Sequence, residues 1–370
     1  MDKILIVGGG AIGLSLAYEL VQHGQRVCVV DRAEVGRQTS WAGAGILPPA
    51  FEHTIDALED LRKLSHGLHP DWAAKLKAET GIDTGYRRCG GIYIARGVGE
   101  AASLKATMRQ WSEDGVRIEL LDRPCLQQFE PSLSPDSTSS DGWVSYFLPD
   151  EAQVRNPRHL AALSMACRQR GVELLENTPI HGFDTRRERI SALRTSSATL
   201  EADRFCITGG PWTGRLLKSL GIGLEMHPWR GQMVLLYQPD QLINHIINEG
   251  PRYIVPRDDG HLLIGSTMEE VGFDERTTPE AIDGLVRFAH DLIPCLRDIP
   301  VKQSWAGLRP GTGDGYPFIG LIPGFQNAWV GAGHMRSGIH LSTGTAVCLR
   351  KLILGQTPSI DLTAFRLDRE

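Results

Sequence analysis

Paired cysteines are missing from this sequence. The chain of 370 residues has seven cysteines, and no two of them form a C-x-x-C pair. An odd, scattered set argues against a disulfide framework, a zinc cluster and a redox-active dithiol, and it is typical of a reducing cytoplasm. We therefore expect a cytoplasmic protein without a metal site.

A strong charge and a long apolar run are missing as well. The net charge is −5 and no basic cluster stands out, which argues against a nucleic-acid partner. Residues 4–18 are uncharged, but glycines interrupt them, and Asp2 and Glu19 flank them. Such a stretch is too short and too broken to span a membrane, so no span is predicted.

Glycine is abundant instead. The 41 glycines occur in short clusters, which predicts many tight turns or close backbone approaches. The length of the chain favours two connected domains over one.

Residues 3–31 contain a dinucleotide-binding pattern: a predicted strand, a Gly-rich turn, a helix and a second strand. Gly8 permits the tight turn, Gly10 lets a pyrophosphate approach the backbone, and Gly13 lets the helix pack close to the strand. The helix N-terminus would supply N–H groups to phosphates, and Asp31 would accept hydrogen bonds from a ribose. Any buried strand–turn–helix unit can use glycines, but these features together predict FAD or NAD.

The segment after Asp31 favours FAD. Thr39 and Ser40 precede a run of small residues at 42–45. A segment with such small side chains could lie along a long, extended cofactor. In a nicotinamide dehydrogenase, another strand and helix would be expected to follow directly.

The remaining patterns indicate an α/β fold in which two domains interleave. A loop rich in Pro, Ser and Asp over 129–149 would connect the domains. Alternating strands within 226–302, with an amphipathic helix over 279–292, predict an antiparallel sheet and its covering helix. Further predicted helices are 52–82, 99–114, 157–170 and 213–219, and further strands are 87–96, 172–176 and 204–208. The expected domains are a Rossmann-like FAD-binding domain (1–82, 146–222 and 303–370) and a substrate-binding domain (83–145 and 223–302).

A second strand–glycine–helix unit lies near the C-terminal end, with a strand over 328–331 and a helix over 337–354. Aimed at a flavin, this helix N-terminus would stabilise negative charge on the reduced ring. The alternative is a helix that only caps the fold.

Motifs along nearly the whole chain resemble the D-amino-acid oxidase family of FAD enzymes, and within it the glycine oxidase branch of thiamine biosynthesis. These motifs are VGGGAIG, TSWAGAGIL, TGGPWTG, YIVPR, GHLLIGSTM, WAGLRPGTGDGYPFIG and GHMRSGI. The resemblance implies a homotetramer and a non-covalent FAD, because related sarcosine oxidases attach the flavin through a cysteine in the segment matching 304–320, which has none here.

The resemblance also implies roles for individual residues. Arg309 would bind the substrate carboxylate with Tyr253 as its hydroxyl partner, and Arg336 would lie near substrate and flavin. Met268 and Ile46 would line the substrate pocket. The alternative for Arg309 is a structural ion pair. The implied cofactor-binding residues are Gly8, Gly10, Ala11, Ile12, Gly13, Asp31, Arg32, Thr39, Ser40, Ala44, Gly45, Ile46, Ile180, Gly209, His334, Met335, Arg336, Ser337, Gly338 and Ile339.

Two departures from the family concern the ribose and the active-site entrance. Asp31 stands where Glu is more usual, and Ile46, Leu47 and Pro48 stand where the family has Met, Leu and a small residue near the entrance. The preferred size of the substrate side chain therefore stays open.

The implied reaction is oxidative deamination of glycine, sarcosine and small D-amino acids by hydride transfer to FAD. Molecular oxygen would reoxidise the flavin to give hydrogen peroxide, and the imine product could serve thiazole synthesis for thiamine. The amine must be neutral, and the matching pocket positions offer no obvious histidine or carboxylate as a base. Alternatives are a dehydrogenase with another electron acceptor, a nicotinamide-dependent dehydrogenase and a non-catalytic FAD-binding protein.

The sequence also contains an H-x-x-H pattern at His66 and His69. Because no carboxylate or cysteine completes a recognisable metal-ligand motif with this pair, we expect two surface histidines on a helix rather than a metal site.

Overall fold

The structure is a computed structural model that describes residues 2–53, 56–134 and 142–369. The helices within these ranges are α1 Ala11–Gln22, α2 Thr39–Ala42, α3 Ala57–Thr80, α4 Val98–Glu113, α5 Arg123–Phe129, α6 Asn156–Gln169, α7 Thr213–Lys218, α8 Pro279–Leu292 and α9 Gly338–Ile353. The strands are β1 Lys3–Val7, β2 Arg26–Val30, β3 Ile46–Leu47, β4 Gly91–Ala95, β5 Glu119–Leu121, β6 Val144–Leu148, β7 Ala152–Gln153, β8 Glu173–Leu175, β9 Ile180–Arg186, β10 Arg189–Thr195, β11 Thr199–Glu201, β12 Arg204–Ile207, β13 Met226–Tyr237, β14 Ile246–Glu249, β15 Arg252–Pro256, β16 His261–Gly265, β17 Val301–Thr312, β18 Phe318–Leu321 and β19 Ala328–Ala332.

A six-stranded sheet in the order β18-β19-β12-β1-β2-β8 forms the first half of the fold. Its strands are parallel except for the edge strand β18. Runs such as ILIV in β1 are buried on both faces, which is why they are apolar without alternation. One face contributes to a core with α1, α3, α6 and α9, and the other packs on the sheet β11-β10-β9.

An eight-stranded sheet in the order β17-β13-β16-β15-β14-β4-β6-β5 forms the second half. All its neighbours are antiparallel except β14 and β4, which run parallel. Side chains alternate between the faces of each strand. Ile254, Ile264 and Val234 therefore share one face and pack with Phe288 of α8, while the opposite face of these strands is free to line a cavity.

The predicted α/β class with a parallel and an antiparallel sheet is confirmed, and α8 has the predicted bounds. The loop predicted over 129–149 is wrong in part, because residues 144–148 form β6, and residues 135–141 lie outside the described residues. The sheet β9–β11 was not predicted.

The domain boundaries stay a prediction. Strand β17 pairs with β13 from Val301 to Thr312, so the eight-stranded sheet extends into the segment assigned to the FAD-binding domain. Within the described residues, no helix combines the length and apolar character needed to cross a membrane.

Candidate active site

A cavity of about 670 Å³ extends from the glycine-rich turn to the free face of the eight-stranded sheet. Most of the predicted site residues line it, although they come from all parts of the chain. They are Gly8, Gly10, Ala11, Ile12, Asp31, Arg32, Thr39, Ser40, Ala44, Gly45, Ile46, Ile180, Gly209, Tyr253, Arg309, His334, Met335, Arg336, Ser337, Gly338 and Ile339.

The glycines at one end of the cavity are packed so closely that side chains would not fit. Gly8 has φ +107°, and a Cβ there would overlap the carbonyl of Thr208. Gly13 lies behind the cavity wall, where a Cβ would overlap the carbonyl oxygen of Gly8. Gly10 is the N-cap of α1 and provides no side-chain acceptor, so the first helical turn can offer N–H groups to an anion in the cavity.

Asp31 and Arg32 lie at the same end. The two carboxylate oxygens of Asp31 accept hydrogen bonds from the backbone N–H groups of Gly9 (2.7 Å) and Ala33 (2.9 Å). Burial raises the pKa of Asp31, and these two hydrogen bonds oppose the shift. The Arg32 guanidinium lies 3.6 Å from the ring centroid of Trp212, a cavity residue that sequence reasoning missed. Cation and ring together form a flat wall against which a nucleoside could lie.

Thr39 and Ser40 form hydrogen bonds to two different walls of the cavity. Ser40 Oγ accepts a hydrogen bond from the Ala11 N–H (2.9 Å), and Thr39 Oγ1 donates to the carbonyl of Leu308 (2.8 Å). The segment therefore links the start of α1 to the strand that carries Arg309.

Arg309 is surrounded by neutral oxygens. Its guanidinium donates to Ser266 Oγ (2.7 Å) and to the carbonyls of Thr267 (3.1 Å) and Arg230 (3.4 Å). No carboxylate within the described residues forms an ion pair with it, so the described part of the chain does not support the structural ion-pair alternative. Burial lowers the pKa of Arg309, but a guanidinium stays protonated at neutral pH. The site therefore contains a positive charge that an anionic ligand could neutralise.

The free face of the sheet places Tyr253 close to this cation. Tyr253 pairs with Gly265, which pairs with Met233, and the hydroxyl of Tyr253 donates to Met233 Sδ at 3.5 Å. The Tyr253 side chain also interacts electrostatically with Arg309 and opposes the lowering of that residue's pKa.

Met268 does not line the cavity, contrary to the prediction. Its side chain is 48% exposed. The neighbouring residue Glu269 pairs with Arg230 on the next strand, and the Thr267 carbonyl is turned toward Arg309. At this point of the chain, the backbone carbonyl of Thr267 contacts Arg309, and the Met268 side chain does not line the cavity.

The start of α9 forms the wall opposite the sheet. His334 is buried and its Nε2 lies 3.0 Å from Thr345 Oγ1; burial lowers the pKa of His334 to about 3, so the ring is neutral. The N–H of Met335 donates to the carbonyl of Pro310 (2.9 Å), which joins this turn to the Arg309 strand. Arg336 is exposed and reaches the carbonyl of Pro251 at 3.4 Å.

Comparisons with known proteins agree with this geometry. Residues 3–352 match the family model described as FAD dependent oxidoreductase, DAO. The chain belongs to this family. The glycine turn without side chains, the start of α1 with a glycine as its N-cap, and the long cavity beyond them also fit an adenine dinucleotide with a flavin. The predicted family and an FAD-dependent enzyme of the amino-acid oxidase type are confirmed.

Relatives and solved structures of this family cover at least 97% of the chain. A glycine oxidase of Pseudomonas putida is 33% identical and covers 97% of this chain and 96% of its own length. A bifunctional protein ThiO/ThiG of Trichormus variabilis is 32% identical over 99% of this chain, which spans 55% of that longer protein. The crystal structure of glycine oxidase from Geobacillus kaustophilus aligns with a TM-score of 0.93 at 30% identity and covers 100% of both chains.

In this FAD-dependent oxidoreductase, sequence reasoning missed Arg257. The residue is buried, and its guanidinium donates to Gln153 Oε1 (2.5 Å), to the Val154 carbonyl (3.0 Å) and to the Ala44 carbonyl (2.6 Å). Burial lowers its pKa to about 10, so it remains a cation. Arg257 therefore holds the cavity-lining backbone at Ala44 against β15. Its place in the YIVPR motif was the only sequence signal.

Sequence reasoning also missed Glu151, a carboxylate directly behind the cavity wall. The residue is 0% exposed, and its oxygens accept hydrogen bonds from Tyr93 Oη (2.7 Å) and Asn248 Nδ2 (3.0 Å), both on residues that line the cavity. Glu151 is not one of the pocket-lining positions at which no base was expected, because it lies behind Tyr93 and Asn248. No sequence pattern singles out this acid.

The expectation of surface histidines at 66 and 69 is wrong for His69, which is 2% exposed. Its Nε2 lies 2.8 Å from the carbonyl of His340, and the rings of His66 and His159 also lie within about 6 Å of this pair. The described residues contain no set of ligands that could hold a metal ion. The cluster is therefore a group of packed imidazoles between α3, α6 and α9.

Proposed function

We propose that this enzyme oxidises glycine and other small primary or secondary amino acids, such as sarcosine and small D-amino acids, to a 2-oxo acid and ammonia or an amine. The observation that carries the proposal is Arg309, a half-buried cation without a carboxylate partner in the described residues, placed in the same cavity as the dinucleotide turn. A planar guanidinium can hold a substrate carboxylate with two hydrogen bonds.

The chain's own residues would position the substrate. Arg309 of β17 would bind the carboxylate, Tyr253 of β15 would bind it with its hydroxyl, and Arg336 would add positive potential at the cavity mouth. The walls formed by α9 and the sheet would exclude water from the bound amino acid. FAD, held by the glycine turn and the start of α9, would supply a hydride acceptor for the substrate α-carbon and a route for the electrons to oxygen, with hydrogen peroxide as the product.

Non-covalent binding of FAD is part of the proposal. It is supported by the absence of cysteine from residues 304–320 and from the described residues that line the cavity. We also propose a cytoplasmic homotetramer, and delivery of the imine product to thiazole synthesis for thiamine, by resemblance to the thiamine-pathway relatives. A dehydrogenase that passes electrons to another acceptor is the second candidate.

The test is an absorbance spectrum of the purified protein, followed by anaerobic addition of glycine, sarcosine, D-alanine and D-proline in turn. A flavin spectrum that bleaches with at least one of them supports the proposal. Failure of all four to bleach the flavin band would refute it. Admitting oxygen afterwards and measuring hydrogen peroxide separates an oxidase from a dehydrogenase.

A further inference from the structure

Two arginines reach the same end of the cavity from backbone segments that contact each other. Arg309 belongs to β17, and Arg336 lies in the turn that precedes α9. The residues next to them in sequence are joined, because the Met335 N–H donates to the Pro310 carbonyl at 2.9 Å. Both arginines line the cavity. Their side chains therefore start close together on its wall.

The two guanidinium groups also end close together. Arg309 donates to the hydroxyl of Ser266, which directly follows β16. Arg336 donates to the carbonyl of Pro251, which directly precedes β15. Strands β15 and β16 are antiparallel neighbours, so these two acceptors lie at the same end of both strands, and neighbouring strands are about 4.8 Å apart. One small ligand with two anionic groups can therefore contact both cations.

This end of the cavity has more positive charge than one carboxylate can neutralise. Within the described residues, neither Arg336 nor Arg309 forms an ion pair with a carboxylate. The acidic residues in the described lining are Asp31 and Glu34, both in the segment after β2. Burial lowers the pKa of Arg309, and the positive charge of Arg336 lowers it further. Two like charges that repel each other favour a ligand with two negative groups.

The face of the eight-stranded sheet that forms the cavity floor leaves room for a second acidic group. Beyond Tyr253 the cavity lining continues to Gly250, Asn248 and Tyr93. A Cβ at Gly250 would meet nothing within 4 Å, so the space next to Pro251 is open. Asn248 donates one amide N–H to a carboxylate behind the wall and keeps a second N–H for the cavity. A substituent larger than the hydrogen of glycine therefore has polar space there.

We propose that this enzyme prefers amino acids that carry a second carboxylate, and that Arg336 binds this group while Arg309 binds the α-carboxylate. The inference rests on the proposed function and leaves its chemistry at the α-carbon unchanged. The fork of donors on Arg309 matches the two oxygens of one carboxylate, which leaves Arg336 for the other. The second carboxylate is carried by the side chain, as in D-aspartate, or by the amine, as in iminodiacetate.

The test compares each acid with the amide of the same shape, because the two differ by one negative charge. The pairs are D-aspartate with D-asparagine, and iminodiacetate with its monoamide. We expect Arg336→Met to lower kcat/KM for the acid about 10-fold more than kcat/KM for its amide, since a charge-assisted hydrogen bond is lost. Arg336→Lys should keep part of the preference, because it keeps the charge without the fork. An effect in only one pair identifies which position carries the second carboxylate.

Binding without catalysis is measured with succinate and its monoamide, succinamate, from perturbation of the flavin spectrum of the FAD-loaded enzyme. The wild type should bind succinate about 10-fold more tightly than succinamate, and Arg336→Met should bind the two equally. Higher ionic strength should weaken the preference, because Arg336 is exposed. Arg252→Met is the matched control: it removes a cation at the start of β15, but Arg252 does not line the cavity. It should keep the wild-type preference.

Three outcomes would contradict the inference. Equal losses of kcat/KM for acid and amide in Arg336→Met would mean that both arginines act on one carboxylate, which overturns the second site and leaves the proposed function standing. A wild type that oxidises glycine but neither acid overturns the inference in the same way. A wild type whose flavin no amino acid reduces overturns both.

Discussion

Gly231 lies directly beneath the guanidinium of Arg309. A Cβ at position 231 would overlap Cζ and both terminal nitrogens of Arg309, so only glycine lets this side chain lie flat across β13. The two residues are on adjacent strands, where Gly231 pairs with Gly307 and Arg309 pairs with Trp229. The proposed carboxylate clamp therefore depends on a residue that makes no polar contact with it.

Gly231→Ala should displace the guanidinium and weaken the binding of carboxylate substrates at least about 10-fold, because inserting a methyl group into a packed site costs about 1–3 kcal/mol. The measurement is the dissociation constant for acetate from perturbation of the flavin spectrum. Gly284→Ala is the control, since a Cβ there would meet nothing within 4 Å. Unchanged affinity in Gly231→Ala would contradict the geometry of the clamp.

Arg309→Leu should weaken carboxylate substrates by about 3 kcal/mol, on the order of 100-fold, because the substrate charge would be buried without a partner. FAD content should survive, since the dinucleotide turn lies at the other end of the cavity. Steady-state kinetics with glycine and a flavin spectrum measure the two quantities. A variant with wild-type apparent affinity would refute the clamp, and a variant without flavin would place Arg309 in cofactor binding instead.

Arg257→Met should lower FAD affinity at least about 10-fold, because it leaves the carbonyls of Ala44 and Val154 without their buried donor, at about 1–3 kcal/mol for each lost partner. The readout is the FAD dissociation constant from flavin fluorescence. Arg252→Met, at the start of the strand that Arg257 follows, is the control, as the Arg252 side chain is 40% exposed. Equal FAD affinity in the two variants would argue against a positioning role for Arg257.

Stability should fall when the pH drops below about 6.5. Burial lowers the pKa of His69 to about 4 and those of His159 and His334 to about 3, while His340 lies well below its usual value. Between pH 6 and 4 the unfolded chain therefore binds more protons than the folded one, which costs about 1.4 kcal/mol per pH unit for each histidine. Urea unfolding of the holoenzyme at several pH values measures this slope.

His159→Gln isolates one member of that histidine set. Both ring nitrogens of His159 are buried without a hydrogen-bond partner within the described residues, so the variant should reduce the slope by about 1.4 kcal/mol per pH unit. His23→Gln, at an exposed position, should leave the slope unchanged. A folded-state stability that is flat from pH 7 to 5 would show that these rings accept protons without unfolding.

Local patterns were enough to predict much of the fold. The strand–glycine–helix unit, α8 and α9 were predicted to within a residue or two, since each depends on side chains close in sequence. The resemblance added the expectation that Arg309 and Tyr253 share a cavity, and both line it. The position of Met268 was mispredicted, because the pairing of Glu269 with Arg230 accompanies a backbone arrangement in which the Thr267 carbonyl, and not the Met268 side chain, faces Arg309.

The sequence by itself therefore determined the α/β class, the dinucleotide turn and the family, because these depend on short-range periodicity and on motif order. Only the tertiary structure decided that Glu151 lies under Tyr93 and Asn248, that Arg257 reaches Ala44 and that His69 is buried. Those relationships arise from strand order and long-range packing, which bring together residues from 58 to 271 positions apart. The chemical character of the cavity floor is a property of that packing.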